Sequence, residues 1–477
     1  MDAVKGGFAL GIDVGTTSAK AFVLGLEGFD YVQDAPMLLR PGPGGMMEQE
    51  VRELWNGVRL AVRRLMRDTG LGQDIRTVAF SSQGGTVIFL DASGSPLGNA
   101  ISWMDTRPAA LGPPLLGGRD DAFFYEKTGW SLQLGCLPLA QILRLRGEQS
   151  DWLRQARHVR FVDSYFVERF TGERATNPSD AAITLLYNVR ERRWDPELLT
   201  LAGIGPAMLP LVVPSGTPVG KIRKKVAEEL GISPEATVVV GGHDQYCAAY
   251  GAACTRPGDT IVSCGTAWVL LTMAAAPRFD REARLAPAQA VRGDLWGLLG
   301  SCSSVGAAVD WFRWSATPER GGLSFKRMEE AAAQVEPSAD GMLYVPSGRG
   351  AGASLVGFAL HHDFGHVARA VLEGPALSAR GLLDRMRKAG CEPSALKAVG
   401  GAARSRFWMQ VLADATGLPL DVPRIQEVAS YGAARLAGEA TGLIPGDAPW
   451  RGPAARLEPR EQYREVYEKL YGRFRGC

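Results

Sequence analysis

Apolar positions near the N-terminus fall into short continuous runs broken by one longer stretch with helical spacing. Phe8-Ala-Leu-Gly-Ile-Asp13 and Lys20 to Leu24 are such runs, joined by Val14-Gly15-Thr16-Thr17-Ser18. Two apolar runs around a Gly-Thr turn predict a β-hairpin. From Glu48 to Met66 the apolar residues Val51, Leu54, Val58, Val62 and Leu65 recur at spacings of three and four, one face of an amphipathic helix. Strands then follow at Thr77–Ser81 and Thr86–Asp91, separated by Gln83-Gly84-Gly85, with a further short run at Ala100–Trp103. Strands and helices alternating at this rhythm predict an α/β domain.

The pattern returns in the second half. Thr260-Ile-Val-Ser-Cys-Gly265-Thr266-Ala-Trp-Val-Leu-Leu271 repeats the strand, Gly-Thr turn and strand of the N-terminus. Val238-Val-Val-Gly241-Gly242, leading into an Ala-rich helix, is echoed by Lys397-Ala-Val-Gly400-Gly401, leading into a helix over Phe407–Ala415. The same two units in the same order predict two related domains, residues 1–250 and 251–477. A length of 477 residues has room for them at roughly 100–200 residues per domain.

Composition narrows the class of function. With 46% hydrophobic and 22% charged residues the chain is globular rather than disordered. Lys+Arg (53) against Asp+Glu (51) leaves a net charge of +2, too little to expect a nucleic acid partner. The 7 cysteines never form C-x-x-C, which argues against a structural zinc site or a disulfide framework. The opening apolar run is too short for a signal peptide, and no run approaches the ~20 apolar residues that span a bilayer. A reduced, cytoplasmic protein away from membranes is expected.

The candidate chemistry sits at strand ends. Gly15 lets backbone N–H groups turn inward and Thr16, Thr17 and Ser18 add hydroxyls, so this turn can cradle a phosphate. Asp13 beside it offers an oxygen ligand for Mg²⁺, though the same residues also suit an ordinary hairpin. Gly265-Thr266 makes a matching turn with Ser263 and Cys264 in place of the acid. Gly216-Thr-Pro-Val-Gly220-Lys221 resembles a Walker A loop but is one residue short, and Ile222 stands where a Ser or Thr should bind the metal. Asp244, in Gly241-Gly-His-Asp-Gln245, lies where a strand meets a helix, a place that suits a general base and equally an N-cap. His243 reads as structural. Gly400-Gly401 would let something flat approach the backbone, or would simply pack tightly. His361-His362 with His366 has the spacing of a helical metal pair without an evident third ligand.

Taken together these segments resemble the FGGY carbohydrate kinases, in the family's order and over nearly the whole chain. The resemblance runs through Leu10–Ser18, Ile101-Ser-Trp-Met-Asp-Thr-Arg107, Phe170-Thr-Gly-Glu173 with Trp194-Asp195, Gly241–Gln245 and Gly265-Thr266. It continues through Gly357–His362, Arg369–Gly374, Gly400-Gly-Ala402 with Trp408–Asp414, and Glu427–Ala434. It implies two ribonuclease-H-like domains of the actin/hexokinase-like ATPase fold around a central cleft, with ATP and Mg²⁺ as cofactors. It further implies Asp244 as catalytic base with Gln245 touching the sugar, and Asp13 placing the metal. Thr16, Thr17 and Lys20 would lie along the phosphates, with Gly265 and Thr266 as the opposing turn. Gly306, Asp310, Gly401 and Ser405 match nucleotide-side positions. A homodimer is compatible with the resemblance.

The acceptor is harder to read. Glycerol kinases carry Arg-Glu after the glutamine of the second-strand turn and xylulokinases carry Met-His, whereas this chain has Gly84-Gly85 after Gln83. The glycines disfavour glycerol and leave either a widened pocket or a space that another loop fills. Gln83, Trp103 and Asp105 are the expected sugar contacts, with Gln245. Cys136–Gln141 lacks the Lys and Trp usual in the first family signature, Gly348-Arg-Gly350 shortens the second, and Phe358 replaces an aliphatic residue. The expected activity is ATP-dependent phosphorylation of a ketopentose such as xylulose, or of a related sugar or polyol. The rival readings are an actin-like ATPase and a sugar-sensing regulator derived from a kinase, and the Trp103 segment with Asp244-Gln245 argues against the first.

Overall fold

The computed structural model describes residues 6–26, 30–131, 136–280, 285–302, 305–316, 323–346 and 353–477. The shortened segment Gly348–Gly350 lies outside them. The chain divides into two compact units, and one cut does not separate them. The first takes residues through Thr255, then Ala275–Gly297 and Glu427–Trp450. The second takes Arg256–Ala274, Leu298–Gln426 and Arg451–Cys477. A division at residue 250 therefore follows the main body of the first unit but misses two stretches that return to it.

The first unit is built on a six-stranded sheet in the order Pro218–Lys221, Thr237–His243, Ile75–Ser82, Phe8–Val14, Ser18–Leu24, Asp30–Pro36. Its three middle strands are parallel, with Asp13 opposite Ser81 and His243 opposite Ser82, so their carboxyl ends lie along one edge. Successive side chains along these strands point to opposite faces, which decides the side each residue serves. Leu10, Ile12, Val78, Phe80, Val238 and Val240 join one buried cluster with Val51, Leu54, Val58, Val62 and Leu65 of the helix Val51–Thr69. Each such side chain contributes about 1.5–3 kcal/mol on burial. Gly11 meets a different helix, because a Cβ there would run into Ser430 O and Ala434 N. That helix, Val428–Ala440, also leaves no room for a Cβ at Gly251, where Val428 O stands. This close packing of backbone on backbone returns residues 427–450 to the first unit.

The second unit repeats the plan. Asp259–Cys264 pairs antiparallel with Trp268–Ala274 and parallel with Ala395–Val399, which in turn lies beside Leu420–Pro423. Ser263 stands opposite Val399, so here too two parallel strands end on one edge. Trp408, on the helix Arg406–Thr416, donates from Nε1 to Leu372 O at 2.8 Å and ties that helix to the long helix Phe364–Lys388. The predicted hairpins and the helices after Gly241-Gly242 and Gly400-Gly401 are all present. Among the described residues no helix is long and apolar enough to cross a membrane.

Candidate active site

Three strand ends in the first unit bring the predicted residues together. Asp13 is the penultimate residue of its strand and accepts a hydrogen bond from Ser81 Oγ at 2.6 Å. Gly15 N–H closes the turn onto Ser18 O at 3.0 Å, leaving Thr17 exposed and Thr16 half-buried. Thr16 Oγ1 donates to Gln83 Oε1 at 2.9 Å and accepts from Trp103 Nε1 at 3.0 Å. Gln83 Nε2 donates to Gln49 Oε1 at 2.8 Å, and Gln49 Nε2 donates to Thr16 O at 2.7 Å. The phosphate turn and the expected acceptor residues Gln83 and Trp103 thus form one hydrogen-bonded network. Gln83 is only 2% exposed, while Trp103 keeps 41% of its surface open.

Asp105 is placed differently from a group that meets a ligand. It is fully buried, and its two oxygens accept from Met47 N–H at 2.9 Å and from the Arg107 guanidinium at 2.9 and 3.0 Å. Arg107 also bonds Glu48 at 2.7 Å. In this structure Asp105 braces the loop that carries Trp103, and the guanidinium holds its carboxyl below the usual range against the opposing effect of burial.

The acid chemistry is concentrated around Asp244, the first residue of the helix Asp244–Gly251. Its Oδ1 is buried without a hydrogen-bond partner, while 30% of the side-chain surface stays open. Burial raises its pKa to about 6 against the pull of N–H donors from Gln245. Asp13 is raised further, to about 7, first by burial and then by the charge of Asp244, with Ser81 and Lys20 opposing. Two neighbouring carboxylates, one raised by the charge of the other and one with an orphaned oxygen, are the donor set a divalent cation would fit. Lys20 lies between charges of its own, with Nζ 2.5 Å from Glu427 Oε2.

Sequence reasoning passed over what stands behind Asp244. Asn177 caps the helix Pro178–Ala182 by accepting from Asp180 N–H at 2.9 Å, and its Nδ2 donates to Asp180 at 2.7 Å and to Asp163 at 3.2 Å. Ser179 Oγ donates to Asn177 at 2.6 Å and accepts the His243 N–H at 3.0 Å, fixing the residue before Asp244. Burial and the neighbouring Asp163 push the Asp180 carboxyl well above its ordinary range. The only sequence signal was the cap pattern Asn177-Pro178-Ser179-Asp180, which announces a helix start and no more.

In the second unit the six expected nucleotide-side residues converge. Gly265, Thr266, Gly306, Asp310, Gly401 and Ser405 all line one cavity of ≈ 500 Å³, with Phe325 and Trp408 among its apolar walls. A Cβ at Gly306 would strike Gly265 O and come 3.1 Å from Thr266 O, so this glycine lets the helix Val305–Ala316 press on the turn. Gly401 is the opposite case, since a Cβ there would meet nothing within 4 Å. Ser405 caps the helix Arg406–Thr416, accepting from Trp408 N–H at 2.9 Å, and also bonds Glu329. Asp310 pairs with Arg313 at 2.9 Å. Elsewhere in this unit His361 and His362 meet Asp340, the third group that the sequence had lacked. His362 Nδ1 accepts the Ala359 N–H at 3.0 Å, which puts the proton of the neutral ring on Nε2 and leaves no lone pair there for a metal.

Comparison with known proteins agrees with this geometry. The N-terminal domain of the FGGY family of carbohydrate kinases matches residues 8–251, and the family's C-terminal domain matches residues 260–441. A glycerol kinase of Trichlorobacter lovleyi is 33% identical over 458 residues, covering 91% of this chain and 90% of its own. The structure of a xylulose kinase from Rhodospirillum rubrum superposes with a TM-score of 0.90 at 25% identity, covering 98% of each chain. A gluconate kinase from Lactobacillus acidophilus shares the fold, with a TM-score of 0.91 at 22% identity over 98% of this chain and 97% of its own. The fold is the two-domain α/β fold of actin- and hexokinase-like ATPases, the activity is phosphoryl transfer to an alcohol group of a sugar or polyol, and the chain belongs to the FGGY family of carbohydrate kinases.

Proposed function

We propose that the protein transfers the γ-phosphoryl group of ATP to a hydroxyl of a ketopentose such as xylulose, or of a related sugar or polyol, with Asp244 as general base. The observation that carries this is Asp244 itself, a carboxylate at a strand-to-helix junction with one oxygen buried and unpartnered. A base must be ionised and short of hydrogen bonds to take a proton, and a pKa raised to about 6 improves its proton affinity while leaving it charged at neutral pH. The network of Thr16, Gln83 and Trp103 supports an acceptor and phosphate side in the first unit, with Gln245 beside the base. The cavity of ≈ 500 Å³ in the second supports the nucleotide side.

Asp13 would hold Mg²⁺, and bound there the ion would supply charge neutralisation at the transferring phosphoryl group. Apart from the ion, Asp244 accepts the proton as the acceptor oxygen attacks in line, and the N–H groups and hydroxyls of the Gly15–Ser18 turn receive the negative charge that spreads over the phosphoryl oxygens. Position 84–85 lacks the polar pair that would grip a small polyol, which favours a ketose. The second reading is a glycerol kinase, favoured by the 33% identity to the Trichlorobacter enzyme of that name.

ADP release with Mg·ATP across pentuloses, hexuloses, aldonates, glycerol and other polyols, run beside Asp244→Asn, tests both. One ketose should dominate, and the variant should lose on the order of 10²–10⁴ in rate. Glycerol as the best acceptor would replace the first reading by the second. A variant as fast as wild type would remove the role of Asp244.

A further inference from the structure

The two glycines after Gln83 do not open a void. A Cβ at Gly84 would stand 2.7 Å from His243 Cδ2, 2.8 Å from its Nε2 and 3.0 Å from Ile183 Cγ2. The imidazole therefore occupies the volume that any side chain at position 84 would need. At Gly85, whose φ of 76° already favours glycine, a Cβ would lie 3.1 Å from Trp103 Cβ and 3.2 Å from Leu137 Cδ2. The floor beside the base is bare backbone, walled by His243 on one side and Trp103 on the other.

His243 is held from several directions. Its N–H is bound by Ser179 Oγ, its ring centroid lies 5.9 Å from that of Tyr246, and its Nε2 lies 3.2 Å from Asp244 Oδ1. That oxygen has no hydrogen-bond partner, and the imidazole borders it. Burial keeps the ring neutral, with a pKa down to about 4. Among the described residues, Lys20 is paired with Glu427 and Arg107 with Asp105 and Glu48. The charge of Asp244 raises both Asp13 and Asp180. A negatively charged acceptor would add its charge to these three carboxyl groups, with the described cations Lys20 and Arg107 already paired.

We propose that His243 is an acceptor-site residue: standing in the space over Gly84, its imidazole orients the Asp244 carboxylate and forms one wall for an uncharged sugar or polyol, to the exclusion of aldonates and sugar phosphates. This rests on the reading of Asp244 as the base, and it gives the residue read as structural from sequence a part in choosing the substrate. Gly84 and His243 then act as a steric pair, in which the one can gain a side chain only if the other gives one up.

The test is a mutant cycle on the full chain with Gly84→Ala, His243→Ala, the double variant and His243→Asn, reading KM and kcat for the acceptor that wild type uses and KM for ATP. His243→Ala should raise the acceptor KM at least tenfold and leave the ATP KM unchanged, with His243→Asn recovering part of the loss. Gly84→Ala should lose at least tenfold in kcat/KM on the wild-type background and almost nothing once His243 is Ala. Losses that multiply in the double variant, an unchanged acceptor KM, or an aldonate turned over as fast as the best ketose would each overturn the proposal. The two KM values separate it from the reading of the base. An Asp244→Asn variant as fast as wild type overturns that reading, whereas an acceptor KM unchanged in His243→Ala, in a kinase that still needs Asp244, overturns this proposal alone.

Discussion

The two units end a central strand in the same way and then load the ends differently. In the first, the penultimate strand residue is Asp13, the turn threonine is tied to Gln83 and Trp103, and burial with Asp244 nearby lifts the carboxyl to about 7. In the second, Ser263 takes the place of the acid, burial pushes the thiol of Cys264 after it far up, and the Gly265-Thr266 turn borders a cavity of ≈ 500 Å³. One backbone device thus carries two loads. The first unit gathers acids that burial raises, and the second opens a cavity where Asp310 pairs with Arg313 and Glu329 with Ser405. Raised acids in one unit and an open cavity in the other suit a reaction in which one partner must give up a proton and the other must be held.

The largest effect expected from breaking this asymmetry is at Asp13. Asp13→Asn should lower kcat on the order of 10²-fold or more, the scale of one lost electrostatic stabiliser, while Ser263→Ala at the matching position leaves kcat unchanged. Stability should move the other way. Asp13 is neutral in both folded and unfolded chains below pH ~4, and between that and about 7 only the unfolded chain ionises it. Its contribution to folding is therefore lost as pH rises through about 7. Asp13→Asn escapes that loss, so without Mg²⁺ it should melt above wild type at pH 8, with the gap closing toward pH 4. Thermal scans in a chelating buffer at both pH values check the sign.

Next in size are two glycines of the second unit. Gly306→Ala forces a Cβ against Gly265 O and should cost roughly 1–3 kcal/mol of stability together with ADP affinity. Gly401→Ala meets nothing within 4 Å, so its melting temperature should hold while ADP binding weakens. Calorimetry with ADP on both variants distinguishes a packing glycine from one that makes room. The pH profile comes third. With Asp244 raised to about 6, kcat/KM for the acceptor should fall about tenfold per unit below that pH and level off above it. Smallest is Glu427→Gln, which releases Lys20 from a pair whose side chains are 31% exposed, and the expected cost is about 0.2–1 kcal/mol in a urea melt.

Sequence pattern carried the strand ends and their turns because each depends on neighbours. Asp13, Thr16, Asp244, Thr266 and Gly401 all sit where a local run of apolar residues stops, and a period-2 pattern shows where that is. What escaped was set by partners far along the chain. Lys20 meets Glu427 across 407 positions, and nothing around either residue announces it. Asp105 looked available because its motif is polar, and only the fold brings Met47 and Arg107 onto its oxygens. The glycine pair was legible as missing side chains, but what fills the space comes from His243 and Ile183 on other elements. The boundary near residue 250 followed the repeat, whereas residues 427–450 obey the backbone packing at Gly11 and Gly251.

That return of the chain has a consequence for how the protein is made. The helix Val428–Ala440 packs on one face of the first sheet, yet the ribosome delivers it long after the four strands it covers. Until it emerges, Gly11 and Gly251 present a bare, close-fitting groove with no partner, so the first half can collapse early and still be unfinished. A fragment stopping near residue 255 would carry Asp13, Asp244 and the Thr16–Gln83–Trp103 network with that groove open, prone to sticking to whatever apolar helix it meets. Completion of the first unit falls to the last tenth of the chain.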